Sequence, residues 1–150
     1  MKRTATAVWA GALKDGKGAI SMQSGALRDA PYSFKARFED DNNQTSGKGA
    51  ATNPEELIAA AHAGCFTMQL SHFLAEAGHP AAKLTTSAEV TVGQGEGGMA
   101  ISKSALTLRG DVPGMTESQF VELAEKAKAG CPVSKALAAI EITLDAKLEG

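Results

Sequence analysis

The sequence predicts an α+β fold in a single domain over residues 1–150, with a mainly antiparallel sheet and one long buried central helix. Three observations carry this. Short alternating segments come in neighbouring pairs joined by Gly-bearing turns, as antiparallel strands do. One stretch, from Asn53 to about Ala77, opens with a helix-entry signature and is then apolar nearly all the way round. The chain is 43% apolar but only 5% aromatic, so its core must be built from Ala, Leu, Ile, Val and Met.

Thr4–Trp9 alternates and reads as a first strand, with Ala5, Ala7 and Trp9 on one side. Lys14–Gly18 is a turn, and Ala19–Ser24 pairs back as a second strand. After a break over Gly25–Pro31, Tyr32, Phe34 and Ala36 alternate with Ser33, Lys35 and Arg37. This predicts a third strand to about Phe38, with Arg37 on the face away from the core. Glu39–Ala51 is polar and aperiodic, hence a loop. Asn53 then suits an N-cap, Pro54 the first helical position, and Glu56 the third residue of a capping box. Gly78 and Pro80 mark the end of this helix.

Thr85–Val92 and Met99–Arg109 read as strands around the Gly93–Gly98 turn. Thr116 with Gln119 forms a second capping box, opening a helix from Glu117 to about Ala129. Cys131-Pro132 starts a short helix to about Ala138, and Ile140–Leu148 is a final strand.

Several function classes are excluded. A net charge of −2, with no block of Lys or Arg, leaves no electrostatic footprint for nucleic acid. No run approaches the 18 apolar residues of a membrane span. Met1-Lys2-Arg3 before TATAVWAGAL has the outline of a weak signal peptide, but its alternation favours a strand, so a cytoplasmic protein is expected. In such a reducing compartment the two cysteines matter for reactivity rather than as a structural bridge.

Cys131 stands at a predicted helix N-terminus, where the N–H groups of Val133 and Ser134 would point near its sulfur and favour thiolate. The alternative is a small buried cap. Cys65 lies mid-helix without dipole assistance, and by itself suits a small buried hydrophobe. The two become a redox pair only if their helices pack so that the Cα atoms come within roughly 7 Å. His62, one turn before Cys65, suits either a Cys–His pair or the start of a metal site, although no zinc-ligand spacing is present. His72 and His79 read as structural or solvent-facing. Glu55 and Glu56 suit the first helical turn electrostatically.

Two motifs, TNPEELIAAAHAGCF and AKAGCPVSKAL, together resemble the osmotically inducible protein C (OsmC)/organic hydroperoxide resistance (Ohr) family. GKGAISMQSGAL, PYSFKARFE and EITLDAKLE make the chain most similar to the OsmC branch, and the resemblance covers essentially all of it. It implies an intertwined homodimer and a thiol-dependent peroxidase that reduces organic hydroperoxides to alcohols, and hydrogen peroxide less well.

By resemblance, Cys65 is the peroxidatic cysteine and Cys131 the resolving one, forming a Cys65–Cys131 disulfide after a sulfenic acid at Cys65. Glu55 matches the Glu of the Asn-Pro-Glu motif. Arg37 in FKARF matches the branch's Arg, and the stretch ALKDGKGA, where the Ohr branch carries its own, holds only lysines. An external dithiol, a lipoylated protein among the family's reductants, recycles the enzyme, and neither metal nor organic cofactor is implied. Two departures stand out: the extended loop from Asp40 to Ala51, between Arg37 and Glu55, and Gly64, where members commonly have Ala.

On this reading Arg37 holds the Cys65 thiolate in place of a helix dipole. Glu55 lies ten residues before Cys65, about 15 Å of helical rise. The expectation is therefore a site built across a dimer, with two central helices packed through Ala59, Ala60, Ala61, Ala63 and Gly64. The competing function is a non-catalytic one: a hydrophobic small-molecule binder or dimeric interaction protein with passive cysteines.

Overall fold

The structure is a computed structural model that describes residues 1–39 and 51–150; the predicted loop from Asp40 falls, up to residue 50, outside the described residues. The chain divides into two compact units, Met1–Pro54 and Glu55–Gly150.

In the first unit, β1 (Ala5–Ala10), β2 (Lys17–Met22) and β3 (Ala30–Tyr32) form an antiparallel sheet in sequence order. Trp9 and Tyr32 both pair with Gly18 across β2, and their rings lie 5.4 Å apart over it. The predicted third strand is corrected here. It ends at Tyr32, and Phe34–Phe38 is a single helical turn, α1. Ser33 is the reason: its Oγ accepts from the Ala36 amide at 3.2 Å and its carbonyl from the Arg37 amide at 3.1 Å. The aromatic spacing fits both periods, and Phe34 and Phe38, four apart, stack with centroids at 5.1 Å. Phe34, Arg37 and Phe38 thus share the wall of one cavity rather than opposite faces of a sheet.

The second unit holds α2 (Pro54–Glu76), β4 (Lys83–Gly95), β5 (Gly98–Asp111), α3 (Glu117–Gly130), α4 (Pro132–Ala136) and β6 (Glu141–Leu148). β4 and β5 form the expected hairpin, and the capping box at Thr116 and Gln119 is present. Gly78, at φ +81°, follows α2 in a left-handed conformation that costs a glycine little. β6 pairs parallel to β5, since the chain returns from β5 through α3 and α4, a helical crossover long enough for parallel pairing. The fold is therefore α+β and mainly antiparallel, with one parallel pair.

Every second residue of β5 (Ser104, Leu106, Leu108, Gly110) is buried, the period of a strand with one face inward. The core of this unit joins that face to Phe66, Leu70 and Leu74 of α2 and to Phe120, Ala124 and Ala127 of α3. A Cβ on Gly110 would stand 2.4 Å from the Phe120 ring, so the missing side chain is what seats α3 on β5. Along α2, His62, Phe66, Leu70 and Leu74 recur every four residues as one buried stripe. Ala60, Ala61, Gly64 and Met68 lie on an exposed face of the same helix, Met68 at 75%.

Candidate active site

Both cysteines belong to the second unit, and the fold brings them together. Cys65 sits midway along α2 and Cys131 at the joint between α3 and α4. Both thiols are free, Cys65 partly exposed and Cys131 fully buried. Their sulfurs are near enough to act on each other's ionisation.

Local sequence explains the geometry at Cys131. Cys131 is at once the C-cap of α3 and the N-cap of α4, in extended conformation, with Pro132 at the first position of α4. The amides of Val133 and Ser134 and the Ser134 hydroxyl lie around its sulfur and favour thiolate, although the sulfur closes no cap hydrogen bond of its own. The Val133 amide also reaches the Cys65 sulfur. Its own helix gives no such N–H, but α4 supplies one from outside.

Burial pushes the Cys65 thiol up, and the hydrogen bond to Cys131 adds to that; the Val133 amide opposes both. For Cys131, burial also acts upward, but the bonds from the Cys65 thiol, the Ser134 amide and hydroxyl and the Val133 amide together bring it below the ordinary value. The surroundings within this unit thus push the two thiols in opposite directions, Cys65 up and Cys131 down.

His62 is neither a direct cysteine partner nor a metal ligand. Its ring is fully buried, with Nδ1 2.7 Å from Ser104 Oγ and Nε2 2.8 Å from Ser134 Oγ. Among the described residues no group of three or more His, Cys, Asp or Glu could hold a metal ion. His72 lies 3.5 Å from Glu76, and His79 donates from Nδ1 to the Pro113 carbonyl at 3.2 Å.

Ser104 and Ser134 are site residues that sequence reasoning missed. Two signals mark them: a serine in register with the apolar face of β5, and a serine three residues past Cys131, where a side chain reaches back over the N-cap.

Glu55 and Cys65 occupy one unbroken helix, so the fold does not bring them together along the chain. Glu55 is buried, in the first turn of α2. Arg37 belongs to the first unit. Its guanidinium carbon lies 4.8 Å from the Phe38 ring centre, at the wall of a cavity of about 260 Å³ that Trp9, Leu13, Tyr32, Phe34 and Pro54 also line. This cavity presents an apolar surface with one cation.

Comparison with known proteins agrees with the motifs. The sequence model of the family described as OsmC-like protein matches residues 47–145. The peroxiredoxin OsmC of Escherichia coli (strain K12) is 49% identical over 141 residues, which cover 94% of this chain and 92% of that protein. An organic hydroperoxide resistance protein of Xanthomonas axonopodis pv. citri (strain 306) is 37% identical over 101 residues, 64% of this chain and 67% of that protein. Among solved structures, an organic hydroperoxide resistance protein from Elizabethkingia anophelis superposes with a TM-score of 0.74 at 26% identity, over 99% of both chains.

The buried imidazole yields a test. Burial holds the His62 pKa below its ordinary 6.5. The unfolded chain then binds the extra proton first, so His62 contributes stability that is present above pH 6.5 and is lost as pH falls toward its folded pKa. Melting temperatures between pH 7.5 and 5 should fall with pH, and His62→Gln should flatten that slope below pH 6.5. An identical slope in the variant would show that the ring is not buried neutral.

Proposed function

This chain belongs to the OsmC-like protein family, and from that premise we propose that it is a thiol-dependent peroxidase reducing organic hydroperoxides to alcohols through Cys65 and Cys131. One observation carries the proposal: a partly exposed thiol beside a fully buried one, each acting on the other's ionisation. Peroxide from solvent meets Cys65 first, whichever sulfur holds the charge at rest.

The Cys65 thiolate attacks one peroxide oxygen, the O–O bond breaks, and the departing alkoxide takes a proton to become the alcohol. Cys65 is left as a sulfenic acid. Cys131 attacks that sulfur, a disulfide forms and water leaves. An external dithiol returns both thiols by exchange. A lipoylated protein suits this step, since a dithiol closes its own ring on release. The reading requires a thiol reductant and no metal or organic cofactor, and it places the enzyme in the reducing cytoplasm.

Arg37 and Glu55 complete the proposal. Arg37 supplies the positive charge that shifts ionisation toward Cys65, and Glu55 orients that guanidinium. The apolar wall beside Arg37 suits a hydrocarbon tail, from which hydrogen peroxide gains nothing. Because Glu55 lies about 15 Å along the helix from Cys65, the site takes its Glu and its Cys from different copies in a homodimer. The exposed small-residue face of α2 supports this. Ala63, Gly64, Thr67 and Met68 line an open groove of about 690 Å³ with Lys83–Thr86 of β4, and a Cβ on Gly64 would meet nothing within 4 Å among the described residues.

Three measurements test the proposal. Treatment with an organic hydroperoxide should remove two thiols per chain, and a dithiol should restore them; Cys65→Ser should abolish turnover, and Cys131→Ser should stop after one oxidation. Turnover surviving in Cys65→Ser would refute the assignment. In the Cys131→Ser background, Arg37→Ala should move alkylation of Cys65 to higher pH; an unmoved profile removes Arg37 from the site. Light scattering should give twice the chain mass, and a fully active monomer would sink the shared site.

A further inference from the structure

We propose that His62 is a positioning residue for disulfide formation: anchored by Ser104, it orients the Ser134 hydroxyl so that Ser134 can serve the Cys131 sulfur both as thiol and as thiolate. The inference rests on the reading of Cys131 as the resolving thiol.

The peroxidase chemistry makes no direct use of His62, yet the chain buries it completely, together with Ser104 at 0% and Ser134 at 5% exposure. An imidazole in that position costs desolvation that an apolar residue would not, and the cost is offset only if both nitrogens are engaged. Both are, at 2.7 and 2.8 Å. The Ser134 hydroxyl, in the first turn of the helix that Cys131 caps, in turn favours the Cys131 thiolate. The result is a continuous buried chain, Ser104–His62–Ser134–Cys131, ending on the sulfur that must attack Cys65.

A neutral imidazole offers one donor and one acceptor, and the chain accepts either tautomer. In one arrangement Nδ1–H donates to Ser104, the Ser134 hydroxyl donates to Nε2, and an oxygen lone pair faces Cys131. That arrangement suits a thiol, whose S–H can donate to Ser134. In the other, the Ser104 hydroxyl donates to Nδ1, Nε2–H donates to Ser134, and the Ser134 proton turns to the sulfur. That suits a thiolate. The heavy atoms stay where they are in both.

The step served is balanced. The Cys131 thiolate attacks the sulfenic sulfur of Cys65, an S–S bond forms and the S–O bond breaks. The leaving hydroxide takes up the proton that Cys131 lost and departs as water. Cys131 is oxidised and the sulfenic sulfur reduced, with no further reactant. A hydrogen bond to an ionised sulfur is of the charge-assisted kind, so its loss reads out in the rate of this step.

Single-turnover kinetics on the full chain, with an organic hydroperoxide and a sulfenic-acid trap, separate the two steps. Ser134→Ala and His62→Leu are expected to leave the first oxidation of Cys65 within about twofold of the parent and to slow disulfide formation about tenfold or more, so that trapped sulfenic acid accumulates. His62→Gln, whose side-chain amide reaches the Nε2 position, and Ser134→Thr, which keeps the hydroxyl, should each recover most of the rate. Disulfide formation at the parental rate in Ser134→Ala overturns the proposal, as does an equal slowing of both steps. Should His62→Leu fail to fold, Ser134→Ala and His62→Gln decide alone. Cys131→Ser is the control for the underlying reading. If it accumulates sulfenic acid while Ser134→Ala does not, only the role of His62 is lost; if it accumulates none, the resolving role itself is wrong.

Discussion

A reactive sulfur placed inside an apolar core must be held by hydrogen bonds, because burial alone drives a thiol toward the protonated, unreactive form. The second unit of this protein is arranged around that constraint. Cys131 has no exposure, and every effect that lowers its pKa is a hydrogen bond: from Cys65, from two amides of α4 and from Ser134. These groups come from two separate elements, and a third reaches them indirectly. α2 contributes Cys65, α4 contributes Val133 and Ser134, and β5 reaches the set indirectly through Ser104 and His62. The packing that seats α2 and α3 on β5 therefore also assembles the thiol pair. Loosening Phe66, Phe120 or Leu106 would move the donors as well as the core.

Electrostatics and access divide the work between the two sulfurs. The charge within this unit favours Cys131, but a peroxide arriving from solvent meets Cys65. The two tendencies are compatible once the reaction is taken in order. On the proposed reading the first step needs an accessible sulfur, whose ionisation the Val133 amide favours and the proposed Arg37 cation would complete. The proposed second step needs a buried sulfur inclined to lose its proton, and the groups fixed around Cys131 favour that without a mobile charge. If Cys131 is the resolving thiol as proposed, its burial also shields it from direct oxidation by bulk peroxide, since reactivity follows exposure as well as thiolate character.

Much of this arrangement was legible in the sequence because it is written in local signals. Pro54 and the acids beside it, the Thr116–Gln119 box and the Cys131-Pro132 joint each fix a helix start by nearest-neighbour chemistry, and the structure has helices there. The alternation of β4 and β5 fixed their pairing in the same way. The stretch Ser33–Phe38 misled because its aromatic spacing satisfies a period of two and of four. The deciding feature is one serine hydroxyl closing on the amide three residues later. The parallel pairing of β6 was not legible either, since strand direction depends on how α3 and α4 carry the chain back and not on any residue within the strand.

The hydrogen bonds at Cys65 and the role of His62 were hidden for a further reason. The Val133 amide lies 68 residues from Cys65, and Ser104 and Ser134 lie 42 and 72 residues from His62. Sequence reasoning weighs a mid-helix cysteine or histidine by its own helix, and both come out as ordinary buried residues. What changes the reading is convergence: the start of α4 and the inward face of β5 meet the same two turns of α2. A polar residue that interrupts an apolar stripe has to be matched by polar residues on the elements packed against it, or the core would carry unsatisfied groups. His62 interrupts the stripe of Phe66, Leu70 and Leu74, Ser104 interrupts that of Leu106 and Leu108, and the two interruptions answer each other across the interface. A matched pair of interruptions beside the two thiols is what leads us to group this histidine with the proposed chemistry rather than with the packing alone.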